Sequence, residues 1–461
     1  MLTQTAYGSS RLSLWLRVRE FAVPPSVIET ATARRGAGDW AGACAAAGVD
    51  ADLDLRTVAR LHGRELAARI RADLRRLAPD LLRWHLPRIA PDGLLRPGLT
   101  LTLARYDRPG RAGPVHLVVR TPPAWADAGQ RIGLALWDTD RANTGRHPHP
   151  RPHRRYRLDL HRHLWDADLA GELRVRSGAG DPAPPDHDPL GLLPPGGGHA
   201  VGRWAAEAGI LLDAEGRSTG TFAVRCGDGR RLALELTGGH GGEPGLRVAT
   251  APPAGGFAAL PVLPDAATWV LPDLRLLRAG LLAPERMHPL VAAALVPGAV
   301  SRPARAPDPA DDARLVECRG ATHRIGLVDG VLAPLDHGPG EVRREELLMA
   351  LGGPPLPCLG AIDRAHRAPN CLTGVRERLA HGDTAGALAV VEGLLGPGAR
   401  LRDGALRDAL EAAAERRITY GLYRAGLIGP GRAPLGTGGR IGPEHRRTRD
   451  RRRRPRDATF H

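Results

Sequence analysis

Proline and glycine set the grain of this chain. Residues 177–199 hold six prolines and six glycines, so more than half of that stretch cannot join a regular helix or sheet. Residues 251–264 and 297–312 are similar but shorter. These stretches cut the 461 residues into segments, and at about 150 residues per domain the length suggests roughly three domains. Hydrophobic residues make up 42% and charged residues 25%. That is a globular balance, which excludes wholesale disorder.

The segments read as an α+β, multi-domain chain. Residues 1–22 are expected to be a poorly ordered leader. Pro24-Pro25-Ser26 then opens a helical region, 23–96, with Ser26 as N-cap. In it Leu66, Ile70, Leu74, Leu77 and Leu81 recur at spacings of three and four, a stripe that must be buried, and Pro79 can start a new helix. Residues 97–250 read as a β-rich domain carrying the linker 177–199. Leu99–Leu103 alternates like a half-buried strand, Val115–Arg120 and Ile132–Trp137 are apolar runs, and Gly227-Asp228-Gly229 turns a hairpin between Thr221–Arg225 and Arg231–Leu236. A helix is expected over Val201–Leu212. Residues 251–312 are linker and short helices.

The unit 313–428 is expected to be a small β-meander followed by helices. Its strands are Leu315–Arg319, His323–Val328 and Val331–Leu335, and its helices lie near 340–351, 370–381, 384–395 and 403–424. Leu406, Leu410, Ala414, Ile418 and Leu422 mark one face of the last helix. Beyond 429 the chain reads as a disordered basic tail.

Function is constrained first by a zero. All 65 basic residues are arginine, the coding skew of a high-GC bacterium. A Schiff-base lysine, a P-loop lysine and a lysine general base are thereby excluded. The formal net charge of +15 is uneven: residues 440–461 supply +6 of it, nine arginines against three acids, and the rest is spread thinly over the other 439 residues. Arg446, Arg447, Arg449, Arg451, Arg452, Arg453, Arg454 and Arg456 form an expected polyanion-binding segment, open to nucleic acid without sequence preference. No apolar run reaches membrane-spanning length and no signal peptide is recognisable, so a cytoplasmic protein without membrane contact is expected.

Five cysteines, Cys44, Cys226, Cys318, Cys358 and Cys371, are too few and too scattered for a disulfide framework. Cys318, His323, Cys358 and Cys371 are the metal candidates, since three thiolates and an imidazole satisfy tetrahedral zinc. The same atoms offer a Cys–His catalytic pair. Other matches lack their context. Gly216-Arg217-Ser218-Thr219-Gly220 has the nucleophile-elbow pattern but leads into a strand, and Gly36-Ala37-Gly38-Asp39-Trp40-Ala41 has the dinucleotide pattern but follows a helix. His147, His149, His153, His161 and His163 crowd a proline-rich stretch that reads as an exposed loop. Gly38-Asp39 and Gly382-Asp383 open two similar alanine-rich segments, as in ordinary helix–turn–helix connections. The expected function is a non-catalytic accessory factor that contacts an unidentified protein partner. The alternative is a zinc-binding module or a zinc-dependent or Cys–His enzyme centred on 313–428, and the second alternative is nucleic-acid binding through the tail.

Overall fold

The computed structural model describes residues 2–108, 113–127, 129–141, 147–181, 187–188, 190–193, 197–227, 229–238, 245–249, 256–298, 314–318, 320–354 and 356–429. The eight arginines of the tail lie outside them. The chain is α+β and divides into two compact units, the first reaching Ala304 and the second spanning Arg305–Ile428. Among the described residues no helix is long and apolar enough to cross a membrane.

The first unit opens with α1 (Leu2–Phe21), α2 (Pro25–Gly36), α3 (Trp40–Ala46), β1 (Val49–Asp52), α4 (Leu55–His62), α5 (Arg64–Arg76) and α6 (Pro79–His85). A short hairpin of β2 (Arg88–Ile89) and β3 (Leu94–Leu95) leads to β4 (Thr100–Tyr106), β5 (Val115–Arg120) and β6 (Ile132–Asp138). After α7 (Leu173–Arg176) and α8 (Trp204–Ala214) come the meander β7 (Gly220–Gly227), β8 (Arg230–Thr237) and β9 (Gly245–Val248) and the helices α9 (Asp265–Thr268), α10 (Pro272–Arg278) and α11 (Pro289–Leu295).

The principal sheet has the order β1-β6-β5-β4. Strands β4, β5 and β6 are antiparallel neighbours, while β1 adds to β6 in parallel, Val49 opposite Ile132. Strand β1 corrects the all-helical reading of 23–96. Its sequence, Val-Asp-Ala-Asp, buries only Val49 and carries no strand signal. Its pairing places the helical region and the β-rich region in one sheet. Strand β4 is also buried more fully than alternation implied. Thr100 and Thr102 are as inaccessible as Leu101 and Leu103, and Thr100 Oγ1 donates to the His149 carbonyl at 2.6 Å.

Within the stretch expected as a poorly ordered leader, Leu2–Phe21 form α1. Leu14, Trp15 and Val18 are buried in the main core. Arg19, which breaks the apolar run in the sequence, is buried because Asp273 of α10 takes its fork at 2.9 and 2.6 Å and the Trp84 carbonyl takes Nη1 at 2.6 Å. Helix α2 starts at Pro25 with Pro24 in the cap position, not Ser26, because proline at the first helical position loses no hydrogen bond. The leucine stripe holds: Leu66, Ile70, Leu74, Leu77 and Leu81 are all buried, and α5 gives way to α6 at Pro79.

The second unit contains β10 (Arg314–Cys318), β11 (Ala321–Val328) and β12 (Val331–Pro334), an antiparallel meander. Helices α12 (Pro339–Ala350), α13 (Pro357–Arg367), α14 (Leu372–His381), α15 (Thr384–Leu395) and α16 (Ala405–Ala425) follow. The core gathers Cys318, Ile325 and Leu332 from the sheet with residues of α13 to α16. The buried line of α16 runs through Leu406, Ala413 and Tyr420, not through Ala414 and Ile418, which are exposed. Spacings of seven keep that line on one side, whereas the expected steps of four drift around the helix. Leu74→Ala and Leu406→Ala should each cost about 2–5 kcal/mol in denaturant unfolding, while Ile418→Ala should stay within about 0.5 kcal/mol.

One buried carboxylate gives the first unit a pH dependence. Burial alone would raise the Glu207 carboxyl, but His161 and Arg176 outweigh it and hold its pKa far below the ordinary 4.5. Arg176 makes two bonds of 2.6 Å, and His161 Nε2 lies 3.2 Å away. A depressed folded pKa contributes stability above the unfolded value and loses it as pH falls. The thermal midpoint should therefore drop as pH falls below about 4.5, and Glu207→Gln should flatten that drop while lowering the midpoint at neutral pH.

Candidate metal centre

Cys318, His323, His337 and Cys358 bring one ligand atom each to within 4.8 Å of one another, the only such group of three or more among the described residues. Local structure explains each placement. Cys318 ends β10 and pairs with Ala321 across the turn at Gly320, whose φ of 80° suits glycine. His323 pairs with Val316, two positions along, and the period of two puts both ligands on one face of the sheet. That face is the inner one, since Ile325 is also buried. His337 comes from the short connection between β12 and α12. Asp336 fixes that connection by accepting the Arg324 main-chain N–H at 2.6 Å and its guanidinium at 2.7 Å. The side-chain and main-chain hydrogen bonds from Arg324 bring the Asp336 pKa down to about 2. Cys358 is the second residue of α13, in the first turn of an eleven-residue helix, where unpaired N–H groups favour a thiolate.

The cluster is half polar and well shielded. Both cysteines are fully buried and the His337 side chain is nearly so. Burial, reinforced by the Cys318 thiol beside it, pushes the Cys358 thiol up to about 11. A divalent cation inverts this preference, because coordination deprotonates a thiol outright. His337 Nδ1 lies 3.2 Å from the Glu341 carboxylate, one turn into α12. A proton on Nδ1 leaves the Nε2 lone pair facing the cluster, where His323 Nδ1 approaches to 2.6 Å. Two nitrogens on one tetrahedral zinc stand roughly 3.3 Å apart. Accommodation therefore needs the two rings to separate by less than an ångström and His323 to carry its proton on Nε2.

Three of the four residues singled out from the sequence, Cys318, His323 and Cys358, converge. Cys371 does not belong to the group. It caps α14, beyond the far end of α13, while Cys358 begins α13. From Cys358 to Arg367 the helix runs about 14 Å before the chain reaches Cys371. His337 takes the fourth place, and its sequence signal was the acid four residues on, Glu341, inside a helix start at Gly338-Pro339.

The other motifs fall apart as sites. Ser218 is exposed between α8 and β7, a helix-to-strand connection that reverses the order an elbow requires. Gly36 ends α2 and Trp40 starts α3, with no strand ahead of the glycines. The histidine-rich stretch is not the exposed loop expected. His147, His161 and His163 are buried, His147 Nε2 bonding the Thr121 carbonyl at 2.9 Å, while His149 and His153 are not. Comparison with protein families, characterised proteins and solved structures finds no match to this chain.

Proposed function

We propose that residues 314–428 form a zinc-binding module in which Cys318, His323, His337 and Cys358 hold one structural zinc. The observation that carries this reading is the mutual approach of two thiols and two imidazoles from four separate places in the sequence. Thiolate and imidazole in equal number suit zinc above the harder cations. The module has β10, β11, the β12–α12 connection and α13 each contributing one ligand, so a bound ion ties the meander to the first helices. Four protein ligands leave no open position for a substrate, which supports a structural, non-catalytic role over a zinc-dependent or Cys–His enzyme. Glu341 acts as a positioning residue, holding the His337 tautomer. A reducing compartment such as the cytoplasm agrees with a pair of thiolate ligands and with five cysteines that form no disulfide.

Metal analysis of the full-length protein tests this. The wild type and Cys371→Ser should carry about one zinc per chain, and Cys358→Ser and His337→Ala should carry almost none. Cobalt substitution should give thiolate charge-transfer and tetrahedral d–d bands in the first pair only. Glu341→Gln should weaken metal binding about 10–100-fold without removing it. A protein that binds neither zinc nor cobalt overturns the proposal. So does loss of metal in Cys371→Ser with retention in His337→Ala.

A further inference from the structure

The first unit contains a second convergence of charged side chains, remote in character from the metal centre. A cleft of about 480 Å3 opens beside α5, β4 and the short turns at Leu158–Leu160 and Arg162–Leu164, and five arginines line it: Arg69, Arg76, Arg105, Arg157 and Arg162. The lining also holds Asp73, Asp107 and Asp159, Tyr106, and three alanines, Ala72, Ala104 and Ala214. That volume is within the range of small-molecule sites, about 300–1,000 Å3.

The carboxylates are already used. Asp73, at the floor, accepts from Tyr106 Oη at 2.6 Å, Arg162 Nη2 at 2.6 Å and Arg76 Nη2 at 2.8 Å. Burial alone would raise its pKa, but the bonds from Arg162 and Tyr106 hold it below the ordinary value, so it is ionised at neutral pH. Asp159 takes the Nε and Nη2 edge of Arg157. Behind the lining, Glu215 takes Arg157 Nη1 and Asp166 takes Arg162 Nη2. These contacts fix the guanidinium planes.

The outer arginines are less committed. Arg105 uses only Nε, toward Asp107, itself 78% exposed. Arg69 has no carboxylate partner among the described residues and rests on the Tyr106 ring, 5.3 Å from its centroid. A molecule entering the cleft meets guanidinium edges and no unengaged carboxylate. It also meets no apolar or aromatic platform: the alanines are small, and Tyr106 is buried beneath Arg69.

We propose that this cleft binds a small phosphorylated molecule, a phosphate or diphosphate ester without an aromatic base, held through the guanidinium groups of Arg69, Arg76, Arg105 and Arg162. The planar fork of arginine matches two phosphate oxygens at once, and the absence of a stacking surface sets the site apart from a nucleotide site. Ala72, between Arg69 and Arg76 on α5, keeps the helix face low enough for the phosphate to approach.

Calorimetric titration of the full-length protein at physiological salt is the test, with inorganic pyrophosphate, ribose 5-phosphate and AMP as probes. Saturable binding of pyrophosphate or ribose 5-phosphate is expected. Arg69→Ala/Arg105→Ala should weaken it at least tenfold, with zinc content and thermal midpoint unchanged, because both side chains are exposed. The basic tail is present in both proteins, so a difference between them belongs to Arg69 and Arg105 and not to the tail. Equal affinity in the variant, or no saturable binding of either probe, overturns the site. AMP binding more than tenfold tighter than ribose 5-phosphate overturns the class of ligand.

Discussion

Buried guanidinium groups hold the first unit together. Arg83 of α6 donates to the carbonyl oxygens of Ala22, Ala47 and Gln130, at 3.0, 3.3 and 2.7 Å, and so joins the end of α1, the end of α3 and the approach to β6. Arg19 links α1 to α10 through Asp273, whose Oδ1 also accepts the Trp84 indole N–H at 3.0 Å, and its guanidinium stacks 4.5 Å over the Trp84 ring. Arg155 and Asp265 close a similar pair across 110 residues. A chain without lysine has arginine as its permanently charged side-chain cation, and a fork of five fixed donors can satisfy several segments at once where an ammonium cannot. Burying a charge is tolerable only where partners replace water, so these contacts specify which segments meet.

This is why the sequence was legible in some places and not in others. The meander of the second unit and the hairpin of α14 and α15 are local: turns at Gly320 and Asp329-Gly330 and the cap at Asp383 sit within a few residues of what they organise. Helix α1 is not local. Arg17, Arg19 and Glu20 interrupt an apolar run in the sequence, and partners far along the chain, Asp273 at 254 residues and the Trp84 carbonyl at 65, make Arg19 a buried residue. Strand β1 is similar, since two of its four residues are aspartates and its partner Ile132–Ala135 lies some eighty residues on. Its parallel pairing cannot be announced by a turn.

The metal candidates divide along the same line. Cys318 and His323 are neighbours across a short turn, so strand periodicity alone brings them to one face. Cysteine identity pointed to Cys358 and Cys371 together, but helix geometry separates them, and residue type carries no information about which end of a helix a side chain occupies. His337 sits in a loop with no periodicity to exploit. Its position depends on Asp336 gripping Arg324 and on Glu341 returning one turn later, contacts that tie a loop to a strand and a helix.

The internal echo shows the opposite extreme, a sequence pattern whose geometry is wholly local. Asp39 caps α3 by accepting from the Gly42 N–H at 2.8 Å, and Asp383 caps α15 by accepting from the Gly386 N–H at 2.9 Å. An arginine five residues before each aspartate, Arg34 and Arg378, reaches back to the same carboxylate from the preceding helix. The glycine three residues on leaves room for the cap at both places, because a Cβ there would fall 2.0 and 2.2 Å from a carboxylate oxygen of the capping aspartate and push that side chain aside. The two units thus arrive at one connection from the pattern Arg-x4-Asp-x2-Gly. The likeness needs no duplicated repeat to explain it. A left-handed turn at the glycine before the aspartate, φ 77° at Gly38 and 90° at Gly382, a carboxylate that satisfies an orphan N–H, and a guanidinium that holds the carboxylate are sufficient to fold the same hairpin in either context.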